Sequence, residues 1–351
     1  MTSSSSNRQI RVCIVDDSRV VRVLLKEVFN STDDLVVVGE ASDPYEARKV
    51  IKATNPDVLT LDVEMPRMDG IDFLKNLMRL RPMPVVMVSS LTEEGTDIAL
   101  EALSVGAVDV IAKPTQGSFD VQRAGRELVE KVRAAAGAKR PSRSGKSLTP
   151  PKIIKIHPSM PRLIAIGAST GGVEAVRDVL SALKGDFPPI VVTQHIMLGF
   201  SQRFAERLDD VASLSVREAK EGDILNRRCV YVAPASHHLT VARSSKGLMS
   251  MLTKDPPVSG HRPSVDVLFQ SVAKATGKAV VATLLTGMGR DGADGLLAVK
   301  EAGGLTIAQD EASSVVWGMP KAAIELGAAQ HVLSLSSIIH SLAGIHRATA
   351  A

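Results

Sequence analysis

Between residues 8 and 135, short apolar runs alternate five times with amphipathic ones, and that alternation leaves few folds open. IRVCIVDD, LVVVGEA, DVLTLD, PVVMVSS and AVDVIAKP read as strands, and the stretches near 19–29, 44–53, 70–80, 93–104 and 119–135 carry helical spacing. The strand runs are continuously apolar, as strands buried on both faces must be. Five βα units of this kind predict a flavodoxin-like, doubly wound parallel α/β sheet, with chemistry at the C-terminal strand ends. Polar residues gather at those ends: Asp16 and Asp17 after the first strand, Asp62 after the third, Ser89 after the fourth and Lys113 after the fifth. Three carboxylates at one edge repel one another unless a divalent cation sits among them, and an all-oxygen donor set suits Mg²⁺. A carboxylate beside such a cation can attack phosphorus as a nucleophile, with Ser89 and Lys113 placed to hold phosphoryl oxygens. The plainer alternative is a set of solvated strand-end acids. Four strand ends furnished together weigh against it.

The pattern then breaks. RAAAGAKRPSRSGKSLTPPKIIK, residues 133–155, is rich in Ala, Gly, Ser, Pro and Lys/Arg and has no apolar period. It predicts a flexible basic linker over 136–155, between one domain at 8–135 and a second at 156–351. Much of the chain's net charge of +4 lies there. A basic run also suits nucleic acid or an acidic surface. No helix-turn-helix pattern follows it, so no nucleic-acid partner is expected. No apolar stretch reaches transmembrane length, and the start TSSSSN lacks the apolar core of a signal peptide, so no membrane insertion is expected. Cys13 and Cys229 fall in different domains, which indicates neither a disulfide framework nor a metal cluster. A cytoplasmic location follows.

The second domain again reads as doubly wound, mostly parallel α/β. In RLIAIGASTGG, residues 162–172, an apolar strand ends at Ser169, two glycines follow, and VEAVRDVLSAL continues as an amphipathic helix. A serine on a tight strand-to-helix turn is raised from the backbone beside helix N–H groups, as an acyl-transfer nucleophile is displayed. His195 ends the strand PPIVVTQH, and Asp291 follows the strand AVVATLLT. A nucleophile, a base and a carboxylate thus each lie just past a buried strand. Their order along the chain, Ser, His, Asp, differs from the Ser, acid, His order of α/β-hydrolases, so a triad on another fold is expected. Of the eight histidines, His157 lies in the linker and His331, His340 and His346 near the C-terminal helix. His237 and His238 start a hairpin, and His261 precedes RPSVDVLF. GMGRDG, residues 287–292, also matches G-x-G-x-x-G, with Asp310 ending the next strand, the layout of a dinucleotide site. Asp291 would place a carboxylate where pyrophosphate should bind, and that reading leaves Ser169 and His195 unused.

VDDS, LDVEMPRMDG, VSS and AKP together resemble the response-regulator receiver domain. The resemblance implies Asp62 as phosphoacceptor, with Asp16, Asp17, Asp62 and the Glu64 carbonyl at the metal, and Ser89 and Lys113 as switch residues. Many receivers carry an aromatic residue three positions before the lysine; this chain has Val110. GASTGG, the TQH strand end, HRPSVDVLF, LLTGMGRDGADG and AQDEASSVVWGMP resemble the catalytic domain of the chemotaxis protein-glutamate methylesterase family, CheB. That likeness implies a hydrolase that demethylates glutamate γ-methyl esters on the cytoplasmic domain of a chemoreceptor, with Ser169, His195 and Asp291 catalytic. Some family members also deamidate receptor glutamines. It implies an oxyanion held by the backbone N–H groups of Thr170 and Met288, a histidine kinase as phosphodonor, and no cofactor for hydrolysis. Met197, Met288, Met319 and Trp317 are expected to line the site or to be ordinary core. Two other readings stay open: a receiver-coupled signalling module with an inactive hydrolase domain, and a dinucleotide-binding enzyme.

Overall fold

The structure, a computed structural model, describes residues 8–65, 69–89, 93–113, 118–138, 152–156 and 162–347. The chain divides into two compact units, residues 1–138 and 139–351. Most of the expected linker, 139–151, lies outside the described residues. Its far end is not free chain. The Ile154 N–H donates to the buried Ser341 hydroxyl at 3.1 Å and Ile156 is buried, while Lys152, Ile153 and Lys155 are exposed, so the expected linker is tied to the second unit at residue 154.

The first unit runs β1 (Ile10–Val15), α1 (Arg19–Asn30), β2 (Leu35–Ala41), α2 (Pro44–Thr54), β3 (Val58–Asp62), α3 (Gly70–Leu80), β4 (Val85–Ser89), α4 (Glu93–Val105), β5 (Asp109–Ala112) and α5 (Ser118–Ala136). Its sheet has the order β2-β1-β3-β4-β5, with every pairing parallel. Helix starts follow capping chemistry. Asp43 accepts from the Tyr45 and Glu46 N–H groups, with Pro44 opening α2, and Asp69 accepts from the Asp72 N–H. β3 and β4 are buried at every position, which explains their largely apolar sequences, interrupted in β3 by the buried Thr60.

The second unit runs β6 (Leu163–Ala168), α6 (Gly172–Ala182), β7 (Ile190–Gln194), α7 (Ser201–Asp209), β8 (Ser215–Glu218), β9 (Cys229–Val232), β10 (His238–Ser244), β11 (Gly247–Thr253), α8 (Val265–Thr276), β12 (Val280–Leu284), α9 (Ala293–Glu301), β13 (Leu305–Gln309), α10 (Met319–Glu325), β14 (His331–Leu333) and α11 (Leu335–Arg347). Seven strands form a parallel sheet of order β14-β13-β12-β6-β7-β9-β8. β10 and β11 form the expected antiparallel hairpin. β6, β7 and β12 are buried throughout, and Leu163, Ala165, Ala282, Leu284, Phe269 and Leu296 share the core with Met319. Met319 is therefore core, not site lining. From β6 the chain first builds outward through β7, then returns to the other side with β12. That reversal makes the C-terminal end of β6 a topological switch point, where open α/β sheets leave a crevice. Ser169 is the next residue. Among the described residues, no helix is long and apolar enough to cross a membrane.

Candidate active site

Three adjacent strand ends deliver three side chains. Leaving β6, the Ser169 N–H donates to the Thr286 carbonyl at 3.0 Å, so the nucleophile's backbone is tied to the loop after β12. Gly171 turns the chain into α6 with φ 75°, and a Cβ there would lie 2.6 Å from Val315 Cβ, so only glycine fits the turn. Just past β7, the His195 N–H donates to the Ala168 carbonyl at 3.0 Å. The Gln194 side-chain amide donates to both the Ser169 and the His195 carbonyls, at 2.8 and 2.9 Å. One side chain thus fastens the ends of the nucleophile strand and the base strand together. Nothing in the TQH motif signals this role beyond the glutamine's place before the histidine.

The result is a continuous line. His195 Nδ1 lies 3.1 Å from Ser169 Oγ, and His195 Nε2 lies 2.7 Å from Asp291 Oδ2. The Asp291 carboxylate is buried and takes three further donors: Ser264 Oγ at 2.8 Å, Val265 N at 2.7 Å and Asp266 N at 3.1 Å. Burial pushes its pKa up, but the His195 partner, those N–H groups and the Ser264 hydroxyl outweigh burial and hold it below the usual carboxylate range. Val265 and Asp266 open α8, so their N–H groups are helix-terminal donors directed at an anion. Ser264 does two things: its oxygen caps α8 by accepting from Val267 N, and its hydroxyl hydrogen goes to Asp291. The sequence signal for it was the Ser before VDVLF, a helix N-cap pattern. Beside it, the buried Asp266 accepts from the Gly295 N–H at 2.7 Å, and burial together with the Asp291 charge pushes its pKa up. An ionised Asp291 facing a neutral imidazole leaves Nδ1 as a proton acceptor for the Ser169 hydroxyl.

The GMGRDG turn serves this site rather than a nucleotide. Its Asp291 is committed to His195 and α8, and the Gly318 and Met319 N–H groups both close on the Gly287 carbonyl at 2.9 Å. Asp310 accepts from the Ser313 N–H and hydroxyl within its own turn. Trp317 Nε1–H donates to the Gln309 carbonyl at 3.2 Å, and Met197 and Met288 are partly exposed.

In the first unit, carboxylate oxygens of Asp16, Asp17 and Asp62 lie within 4.8 Å of one another. Lys113 Nζ is 2.8 Å from Asp62 Oδ2 and 3.6 Å from Asp16 Oδ2, yet neither oxygen makes a well-aligned hydrogen bond among the described residues. Burial, with Asp16 adding to it and Lys113 opposing, pushes the Asp62 carboxyl up to about 6. Two buried, under-satisfied carboxylates, Asp16 and Asp62, with the exposed Asp17 beside them fit a hard divalent cation. The Glu64 N–H donates to Asp62 Oδ1 at 3.1 Å, and Ser89 Oγ donates to the Gly95 carbonyl at 3.3 Å.

Known proteins agree with this layout. A family profile described as CheB methylesterase matches residues 164–342, and one described as a response regulator receiver domain matches residues 12–120. A protein-glutamate methylesterase/protein-glutamine glutaminase of Salmonella typhi is 50% identical over 333 residues, 94% of this chain and 95% of that protein. A protein of the same description from Hahella chejuensis (strain KCTC 2396) is 49% identical over 351 residues, 97% of each. The crystal structure of the Thermotoga maritima CheB methylesterase catalytic domain is similar with a TM-score of 0.51 and 37% identity, covering 52% of this chain and 97% of that one. With the receiver signature in one unit, the Ser–His–Asp line in the other, and half of all residues shared with those relatives over nearly their full length, this chain belongs to the CheB methylesterase family.

Proposed function

We propose that the chain is a phosphorylation-regulated carboxylic ester hydrolase that demethylates glutamate γ-methyl esters on the cytoplasmic domain of a chemoreceptor, and deamidates receptor glutamines at the same centre. The observation that carries this reading is the line Ser169 Oγ, His195, Asp291 Oδ2, with separations of 3.1 and 2.7 Å. The substrate class is supported by the paired activities in the names of the Salmonella and Hahella relatives.

Ser169 Oγ attacks the ester carbonyl carbon as its proton passes to His195 Nδ1. The imidazolium that forms is offset by Asp291 at Nε2. By the family resemblance we assign the oxyanion to the backbone N–H groups of Thr170 and Met288; the Ser169 N–H itself is given to Thr286. His195 returns the proton to the departing methoxide, methanol leaves, and an acyl-enzyme remains on Ser169. Water, deprotonated by the same Nδ1, attacks the acyl carbon, the Oγ–acyl bond breaks as that proton passes to Ser169 Oγ, and glutamate is released with Ser169 and His195 restored. With a glutamine side chain, ammonia leaves in place of methanol.

In the receiver unit, Asp62 accepts a phosphoryl group from a histidine kinase. Asp16, Asp17, Asp62 and the Glu64 carbonyl would hold Mg²⁺, which when bound neutralises charge on the phosphoryl oxygens. Ser89 and Lys113 hold those oxygens from the neighbouring strand ends. The test is methanol release from a methylated receptor fragment and ammonia release from its glutamine form. Failure of the wild-type protein in both assays, or full activity of Ser169→Ala, overturns the proposal.

A further inference from the structure

The proposed triad leaves one histidine of the site unused. Residues 256–264 form a loop whose two ends are held by a single side chain. His238, fully buried at the start of β10, has Nε2 3.2 Å from the Pro256 carbonyl oxygen and Nδ1 3.2 Å from the Ser264 backbone nitrogen. A carbonyl only accepts and an N–H only donates, so this ring is the neutral Nε2–H tautomer. Inside the loop, Val258 and His261 exchange both backbone hydrogen bonds, at 3.1 and 2.9 Å. The two residues between them, Ser259 and Gly260, have φ of 52° and 82°. Two left-handed central residues are the pattern of a type I′ hairpin turn, which fixes the direction of the chain leaving it. That chain sets the His261 ring flat on the His195 ring, with centroids 3.7 Å apart and planes 12° from parallel.

We propose that His261 is a positioning residue for the hydrolysis: stacked on the face of His195, it holds the imidazole in the plane where Nδ1 meets Ser169 and Nε2 meets Asp291. This rests on the reading of Ser169, His195 and Asp291 given above. The physical need is specific. Hydrogen bonds at two edges of a ring resist sliding within its plane and resist tilting out of it only weakly. The histidine χ2 well is broad and does not supply the missing restraint. A flat partner at van der Waals distance does, and its π-face also tolerates the charge His195 acquires when it takes the Ser169 proton. The same six residues, 261–266, then serve both the base and its carboxylate partner: His261 lies on the imidazole, while Ser264, Val265 and Asp266 donate to Asp291.

The test uses the full chain and four variants: His261→Ala, His261→Gln, His261→Phe and Ser169→Ala. Initial rates of methanol release from a methylated receptor fragment give kcat and KM. Loss of the flat partner in the Ala and Gln variants should lower kcat about tenfold and leave KM within about twofold, because a misoriented base slows chemistry and not binding. His261→Phe keeps a flat ring and should recover most of the loss. Independently of substrate, the downfield proton resonance of His195 Nε2–H should broaden in the Ala and Gln variants and sharpen again in the Phe variant. Wild-type kcat and an unchanged resonance in His261→Ala and His261→Gln would overturn the proposal. So would a Phe variant as slow as the Ala variant, which would assign the role to the ring nitrogens and not to its face. Undiminished turnover by Ser169→Ala would instead overturn the hydrolase reading itself.

Discussion

His195 Nε2 lies 2.7 Å from Asp291 Oδ2, which leaves Nδ1 as the nitrogen facing Ser169. In the serine-protease arrangement the carboxylate takes Nδ1 and the hydroxyl takes Nε2. The exchange follows from strand order. β6, which ends at the serine, is the immediate neighbour of β7, which ends at the histidine, so the ring nitrogen nearer the backbone meets the hydroxyl. β12, whose following loop carries Asp291, lies one strand further away on the other side of β6, so the far nitrogen reaches the carboxylate. The reactive tautomer is therefore Nε2–H.

Asp291→Asn should cost both rate and stability. Each carboxylate oxygen takes two donors: Oδ2 from His195 and Val265, Oδ1 from Ser264 and Asp266. An amide has one accepting end, so either orientation sets its NH₂ against two donors. The amide also fails to hold the Nε2–H tautomer. We expect kcat to fall about 10⁴-fold, as for the comparable carboxylate in serine proteases, with about 1–3 kcal/mol of stability lost through unpaired buried groups. Steady-state methanol release and urea denaturation check it; a loss under tenfold in kcat would mean that His195 does not depend on Asp291.

Gly287→Ala should damage the nucleophile directly. A Cβ at this position would lie 2.3 Å from Met319 Sδ, 2.8 Å from Ser169 Cβ and 3.2 Å from Ser169 N. Met319 is buried core, so relief has to come partly from Ser169. A displacement near 1 Å at reacting atoms costs on the order of 10²-fold in rate. The check is kcat on receptor beside a thermal melt; wild-type kcat in a folded variant would show that the turn adapts without moving the serine.

How far this site can be seen without coordinates depends on the kind of contact. Ser169 and His195 were legible because buried parallel strands write unbroken apolar runs, and both residues stand where such runs stop. Asp62, Ser89 and Lys113 were legible for the same reason. The other partners of Asp291 were not, because Ser264, Val265 and Asp266 reach it through a helix start some 25 residues earlier, and periodicity says nothing about which turn faces which. His261 was noticeable only as a histidine before RPSVDVLF; its stacking depends on the turn at Ser259 and Gly260 and on the anchor at His238. The tie at Ile154 was hidden too: it rests on one backbone N–H meeting Ser341, inside a composition that reads as linker.

Charge on Asp62 should cost the receiver unit stability in the absence of metal. Its folded pKa is about 6 against an ordinary 3.8, with burial the main cause. Between those two values the folded state keeps a proton that the unfolded chain has released, so stability falls as pH rises through the window and the penalty is complete above about pH 6. Asp16, raised by the same burial, acts in the same direction. In chelator, the receiver transition of Asp62→Asn should melt above that of wild type at pH 8, by at most about 3 kcal/mol in stability. The difference should shrink to about half at pH 5 and close only below about pH 3.8, read by scanning calorimetry. A wild type more stable than Asp62→Asn at pH 8 would reverse the sign and show that the Lys113 pair outweighs burial.

The same cluster should take up phosphate only with its cation, and the hydrolase should respond. Asp16 and Asp17 supply two of the three converging carboxylates, and Lys113 Nζ already stands 2.8 Å from Asp62 Oδ2. With a small phosphodonor and Mg²⁺, wild-type protein should carry a base-labile adduct that chelator prevents. Asp62→Ala should carry none, and Asp17→Ala less, because a carboxylate ligand of the cation is gone. Methanol release should rise several-fold when phosphodonor and Mg²⁺ are added to wild type and stay at the basal rate in Asp62→Ala. The two readouts separate two claims. Labelling of Asp62→Ala equal to wild type would place the phosphoacceptor elsewhere. Labelling confined to Asp62 with an unchanged hydrolysis rate would mean that phosphate on this residue does not govern the chemistry at Ser169.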